Sequence, residues 1–327
     1  MPTFARNAAP RLLPCLLAAL ALAGCGAGST ATSTATTTTG TQTPNLPGAG
    51  KPQVTIGDKN FTEQFVLGQL YYQALKAQGF AVVLNQNIGP TEVTIQALQT
   101  GRLSLYPEYI DTWNSAVAGY RHGFRSALAA YHAGERFARA HGFELLKPTP
   151  FSDTDALAVE FNYAVHNGLA SIGDLAKVAN ALTLGAPPQF QQSATGLPAI
   201  ERVYGVVPAN FQPLEIGAQY QALDQGTVEA ADVNTTDGEL ITGNYALLDD
   251  PRHVFGWGNV APVVPARVLQ AEGPAFAATI DKVTALLSTP VIRQLNAAVD
   301  VSGENPAVVA QQFLIAHGLV PAGQGGS

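Results

Sequence analysis

Along residues 53–317, apolar and polar positions switch repeatedly between two periods. Residues 53–57 are a short apolar run that predicts a buried strand. From 63 to 78, Leu67, Leu70, Tyr71, Ala74 and Leu75 fall three and four apart, the stripe of a helix, and Gly79 closes it. Residues 80–84 predict the next strand, 91–100 a helix with Thr91 as N-cap and Gly101 as stop, and 103–105 another strand. Helical stretches at 174–181, 196–204 and 219–225 then alternate with strands at 182–184, 228–233 and 245–248. A late strand at 260–265 precedes helices at 274–287, 290–299 and 306–317. Such alternation is the signature of an α/β fold.

One internal echo bears on function. Gln96-Ala97-Leu98-Gln99-Thr100-Gly101 recurs as Gln221-Ala222-Leu223-Asp224-Gln225-Gly226, in each case a helix ending at glycine before a strand. Thirteen residues after the first Gln of each copy stand Tyr109 and Asn234. Open α/β sheets bind ligands beyond the carboxyl ends of their strands. Two units of this kind point to two lobes facing a cleft.

The 327 residues are 46% hydrophobic and 13% charged with a formal net charge of −7, which excludes disorder and the concentrated positive surface that nucleic-acid binding needs. Six scattered histidines and two cysteines supply no zinc or iron–sulfur ligand set. The first fifty residues differ from these averages. Arg6 and Arg11 precede an apolar stretch from 12 to 22 that is too short to span a membrane comfortably, so residues 1–24 read as a secretory signal. Leu22-Ala23-Gly24-Cys25 resembles the lipobox of bacterial lipoproteins, which makes Cys25 the lipidated residue. A short signal anchor with an incidental cysteine is the other reading. Residues 25–51, rich in Thr, Gly and Pro, are expected to be a tether, with the folded part starting near Pro52 and a flexible tail at 321–327.

No nucleophile elbow, phosphate loop, dinucleotide fingerprint or metal-binding His pair is present. Glu63, Glu108, Asp111, Asp155, Asp232 and Asp237 lie near predicted strand or loop ends, where paired carboxylates could do acid/base work, although most such acids are caps or solvated; Asp237 reads as a helix N-cap. Phe61, Tyr106, Tyr109, Trp113 and Trp257 fall in or beside loops. Aromatic faces attract cations, quaternary ammonium in particular, and such rings equally often just pack under loops.

Ile56-Gly57-Asp58-Lys59-Asn60-Phe61-Thr62-Glu63-Gln64-Phe65 resembles the opening motif of the osmoprotectant-type substrate-binding proteins of ABC importers, the glycine betaine, carnitine and choline receptors. Gly89-Pro90-Thr91-Glu92-Val93, Leu105-Tyr106-Pro107-Glu108-Tyr109, Tyr220-Gln221-Ala222-Leu223, Thr235-Thr236-Asp237-Gly238, Ala261-Pro262-Val263-Val264 and Val299-Asp300 continue the match in order, from about Pro52 to Leu319. The resemblance implies a two-lobed periplasmic-binding-protein fold (type II, Venus-flytrap) with two crossover strands. It places 52–156 plus 258–320 in the first lobe and 157–257 in the second. It also implies a monomeric, non-catalytic receptor without cofactor, anchored by lipid to the bacterial cell membrane, that hands a small solute to a permease and its ATPase subunit. A sensor feeding a signalling partner and, further off, a cleft hydrolase using Asp155 are the rival readings.

Family members that bind quaternary amines hold the headgroup in a box of rings, mostly tyrosines. By this resemblance Phe61, Gln64, Tyr109, Thr112, Asp155, Gln191, Asn234 and Trp257 line the site. Only one box ring is kept, as Tyr109. The other three fall on Asp155, on Asn234 and near Gly258, where Trp257 stands one position away. Where betaine binders often place an arginine for the carboxylate, this chain has Gln191, Gln192 and Ser193. The expected ligand therefore carries more hydrogen-bonding groups than glycine betaine, unless Tyr163 or Tyr245 completes the box.

Overall fold

The computed structural model describes residues 46–323. The signal segment, Cys25, the tether up to residue 45 and residues 324–327 lie outside the described residues.

The chain begins with β1 (Val54–Gly57), α1 (Thr62–Ala77), β2 (Val82–Asn85), α2 (Thr91–Gln99) and β3 (Tyr106–Tyr109). A short α3 (Ile110–Thr112) runs into a π turn at Trp113–Val117, and α4 (Ala127–Ala140) and β4 (Phe143–Leu145) follow. Next come β5 (Asp155–Glu160), α5 (Phe161–Asn167), β6 (Thr183–Ala186), α6 (Leu197–Tyr204), β7 (Asn210–Pro213), α7 (Gln219–Asp224), β8 (Ala230–Asn234) and β9 (Tyr245–Leu247). The chain closes with β10 (Val260–Pro265), α8 (Ala266–Glu272), α9 (Pro274–Thr284), α10 (Thr289–Asp300) and α11 (Pro306–Ala316).

Two sheets organise these elements. β1 and β2 pair in parallel, β10 lies antiparallel between β3 and β4, and a bridge from Ile56 to Leu105 connects the two groups. The second sheet has the order β7-β6-β8-β5-β9, with β5 antiparallel to its neighbours and β6 parallel to both of its own. Each sheet is covered on both faces. On β10, Val260 and Val264 join the core under α1, α9, α10 and α11, while Ala261 and Val263 join the one around Trp113 and α4. That alternation is the two-residue period of a strand buried on both sides. β5 divides likewise, Leu157 and Val159 to one face and Ala156 and Ala158 to the other.

Two adjacent antiparallel segments connect the sheets. Ser152 bridges Asn259, the Asp153 N–H donates to the Gly258 carbonyl at 3.0 Å, and the Asn259 amide donates to the carbonyls of Thr149 and Phe151. Gly258 is forced here, because a Cβ would lie 1.6 Å from the Asp153 carbonyl oxygen.

Several expectations are corrected. The tether does not reach residue 51: Leu46 packs on Gly79, Gly48 donates to the Gln78 carbonyl, and the Lys51 ammonium donates to the Ala271 carbonyl. Thr91 is not the N-cap of α2, a position held by Pro90; Thr91 is buried and its hydroxyl serves Lys59 and Glu108 instead. The strand expected at 103–105 is β3, three residues later, because Leu103–Leu105 makes only a bridge to β1. Asp237 stands at the N-cap position without capping, since its carboxylate accepts from Tyr220 and the Asn234 N–H. The helix at 174–181 is two 3-10 segments, Ile172–Lys177 and Ala179–Ala181.

Candidate functional site

The antiparallel register of β5 with β8 sets Asp155 opposite Asn234 and Leu157 opposite Asp232. Asp155, Asp232 and Asn234 therefore share one face at one end of the five-stranded sheet, because opposed residues of an antiparallel pair point to the same side. Thr154 and Thr235 extend the pairing through their backbones, and the Thr235 hydroxyl donates to the Ser152 carbonyl at 2.7 Å. This sheet end thus abuts the segment that arrives from the other sheet.

On that other side, β3 delivers Tyr109. Its terminus is fixed by Glu108, fully buried, which accepts from the Lys59 ammonium (2.5 Å), the Tyr106 hydroxyl (2.7 Å), the Thr91 hydroxyl (3.2 Å) and the Tyr109 N–H (2.8 Å). The Tyr109 hydroxyl donates to Glu63 at 2.8 Å, and Glu63 also accepts from the Asn296 amide of α10. Phe61, 40% exposed, lies 6.0 Å from the Tyr109 ring centroid. The Tyr109 ring is itself 94% buried and already has the Lys59 ammonium 5.6 Å from its centroid. The one retained box ring is thus engaged by an internal cation.

The other expected site residues fall as follows. Gln64 is fully buried, donating to the Pro107 carbonyl and accepting from the Lys59 N–H, so its amide is used in holding β3. Thr112 ends α3 and its N–H donates to Asp111. Gln191 is exposed in the loop after β6, on the same end of the sheet as Asn234. Trp257 donates its indole N–H to the Phe124 carbonyl at 2.8 Å and lies over His253. Neither substitute tyrosine reaches this end. Tyr163, on α5, packs partly buried against the core of the five-stranded sheet, and Tyr245, paired with Glu160 at the far end of β5, donates to Asp224. Position 258 itself admits no ring, for the steric reason given above.

What gathers here instead is acid. Asp111 and Asp155 interact electrostatically, as do Asp155 with Asp232 and Asp153 with Glu63, Asp111 and Asp237. Burial is the main cause that pushes each carboxyl up: Asp111 to about 6, Asp232 to about 9, and Asp153 well above the usual range. Neighbouring carboxylates raise these three further, while burial alone raises Asp155. Asp111, Asp153, Asp155 and Asp232 make no ion pair among the described residues. Oδ1 atoms of both Asp153 and Asp232 are buried with no hydrogen-bond partner. Sequence reasoning named five of these acids individually but passed over Asp153, whose place among them is set by the crossover pairing with Gly258 and by no local motif. Glu108, from the same set, is paired with Lys59, and its charge also raises Asp111.

Known proteins give this geometry its context. The model of the substrate binding domain of ABC-type glycine betaine transport systems matches residues 52–316. A glycine-betaine-binding protein of Pseudomonas aeruginosa is 33% identical over 83% of this chain and 91% of its own length. The glycine betaine-binding protein YehZ of Escherichia coli is 31% identical over 83% and 92%. The ligand-free structure of YehZ superimposes with a TM-score of 0.71 over 82% of this chain and 99% of that one. A glycine betaine/carnitine/choline ABC transporter structure, 24% identical, reaches 0.76 over 81% and 99%. The fold is the two-lobed α/β fold of type II periplasmic binding proteins, and the chain belongs to the family of solute-binding proteins that serve ABC importers of the glycine betaine type.

Proposed function

We propose that this chain is the extracytoplasmic receptor of an importer, anchored by a lipid on Cys25, which closes two lobes (52–156 with 258–320, and 157–257) over one small solute as a monomer. Closure excludes water, and the closed form docks on the permease, whose ATPase subunit supplies the energy. The chain performs no turnover of its own. The observation that carries this reading is the joining of the two sheets by only two adjacent segments, with Asp155, Asp232 and Asn234 at one sheet's end and Tyr109, Phe61 and Asp111 beyond that junction.

In this site Gln64 positions β3, Phe61 offers the accessible aromatic wall, and Thr112, Gln191 and Asn234 offer polar groups at the rim. Trp257 holds the loop that contains Phe124. The relatives named for glycine betaine support a solute of similar size. Native mass spectrometry of freshly purified protein is expected to reveal one retained solute per chain, and small-angle scattering a smaller radius of gyration when solute is present than after its removal by partial unfolding. Absence of any bound solute, together with an unchanged radius across a solute panel, would sink the proposal. Labelling of Cys25 by a lipid precursor in cells, lost in Cys25→Ser, tests the anchor.

A further inference from the structure

A quaternary ammonium needs aromatic faces, because its surface is all C–H and its charge is weakly hydrated. This site has lost the box, Phe61 being its one exposed ring. One box ring is engaged by Lys59, one position is a glycine with no room for a side chain, and two hold Asp155 and Asn234. The acids that gather here have the opposite requirement: their oxygens need N–H or O–H donors. Asp232 is nine-tenths buried, with 9% of its surface exposed, and its Oδ1 has no partner. The β5–β8 register points it to the same side as Asp155, and no hydrogen bond from a described residue reaches either carboxylate. A buried acceptor without a donor is costly; a bound cationic N–H supplies the donor and displaces the proton that burial keeps on Asp232 in the ligand-free protein, leaving a charge-assisted hydrogen bond. No group of three or more His, Cys, Asp or Glu side chains among the described residues is placed to hold a metal ion.

We propose that the solute is a small cation bearing N–H donors, a primary ammonium or guanidinium compound, whose donors bond Asp155 and Asp232 at the end of the five-stranded sheet while Asp111 adds charge from the facing side. The proposal rests on the receptor reading and narrows it to one class of solute.

Calorimetric titration of the purified protein with matched pairs that differ only in N-methylation tests it: glycine against glycine betaine, ethanolamine against choline, with arginine as the guanidinium probe. An N–H-bearing compound is expected to bind at least about tenfold tighter than the trimethylated ones, since each unmet buried acceptor is worth about that factor or more. Asp155→Asn and Asp232→Asn are each expected to weaken it by about tenfold or more, while Asp155→Glu retains most of the affinity. Thermal unfolding of each variant verifies that it is folded. Tighter binding of betaine or choline, or wild-type affinity in both Asn variants, would overturn the inference and leave the receptor reading intact. Capture of uncharged solutes alone does the same. A folded protein that binds nothing in any arm and carries no solute in native mass spectrometry overturns both.

Discussion

A carboxylic acid buried without donors keeps its proton, and Asp232, raised from 3.8 to about 9, does so through the neutral range. The cause is desolvation first and the charges of Asp155 and Asp237 second. Between those two values the folded protein holds a proton that the unfolded chain releases. Stability from this group is therefore fully present below the unfolded value and is lost as pH rises through the folded one. The melting temperature of the ligand-free protein is expected to fall between about pH 5 and pH 9, and Asp232→Asn to flatten the slope. A slope identical in the variant would contradict the assignment. Gly258 yields a second residue-scale prediction. Restoring a ring there by Gly258→Tyr cannot rebuild an aromatic box, because the Cβ itself meets the Asp153 carbonyl at 1.6 Å. We expect a loss of about 1–3 kcal/mol or more in urea unfolding, with no gain in betaine affinity.

At the scale of elements, β3 shows how a motif shapes a site from behind. Pro107 accepts the Gln64 amide, and Glu108 collects four donors from β1's following loop, α2 and its own strand. Tyr109, at the end of β3, is thereby fixed in place. Removing only Lys59's charge leaves Glu108 buried beside neutral donors, so Lys59→Met should cost about 3–5 kcal/mol, read as a drop in the urea midpoint. Adding Glu108→Gln to Lys59→Met should recover part of it, since the buried charge is then gone; no recovery would show that the pair is not the source. The α1 stripe needed no such help. Leu67, Leu70, Tyr71, Ala74 and Leu75, chosen by spacing alone, are the face buried against α9, α10 and α11. The echo also holds at this scale: Gly101 and Gly226 end their helices with φ of 76° and 63°, and Tyr109 and Asn234 end β3 and β8. By contrast α3 was not legible, because it is three residues long and runs into a π turn at Trp113 that has no simple period, and β4 is only three residues; α4 does carry a local signal, a Ser126 N-cap and a buried small-residue face.

For the whole molecule, the sequence by itself determined the α/β class, the order of most elements and the family, because periodicity and ordered motifs are local properties of the chain. It also singled out Tyr109, Asp155 and Asn234, the residues proposed for the rim of the site, and the loss of aromatic residues at the matched positions is visible residue by residue. Only the tertiary structure decided what replaces them. Asp155 and Asp232 are 77 positions apart in sequence, and strand register alone makes them neighbours. Asp153 joins them because a crossover segment passes Gly258, and the Lys59 ammonium comes to 5.6 Å from the centroid of the Tyr109 ring. Charge, burial and missing partners are relations between distant segments. No stretch of sequence contains them, so the gathering of these carboxylates becomes apparent only when the chain is folded.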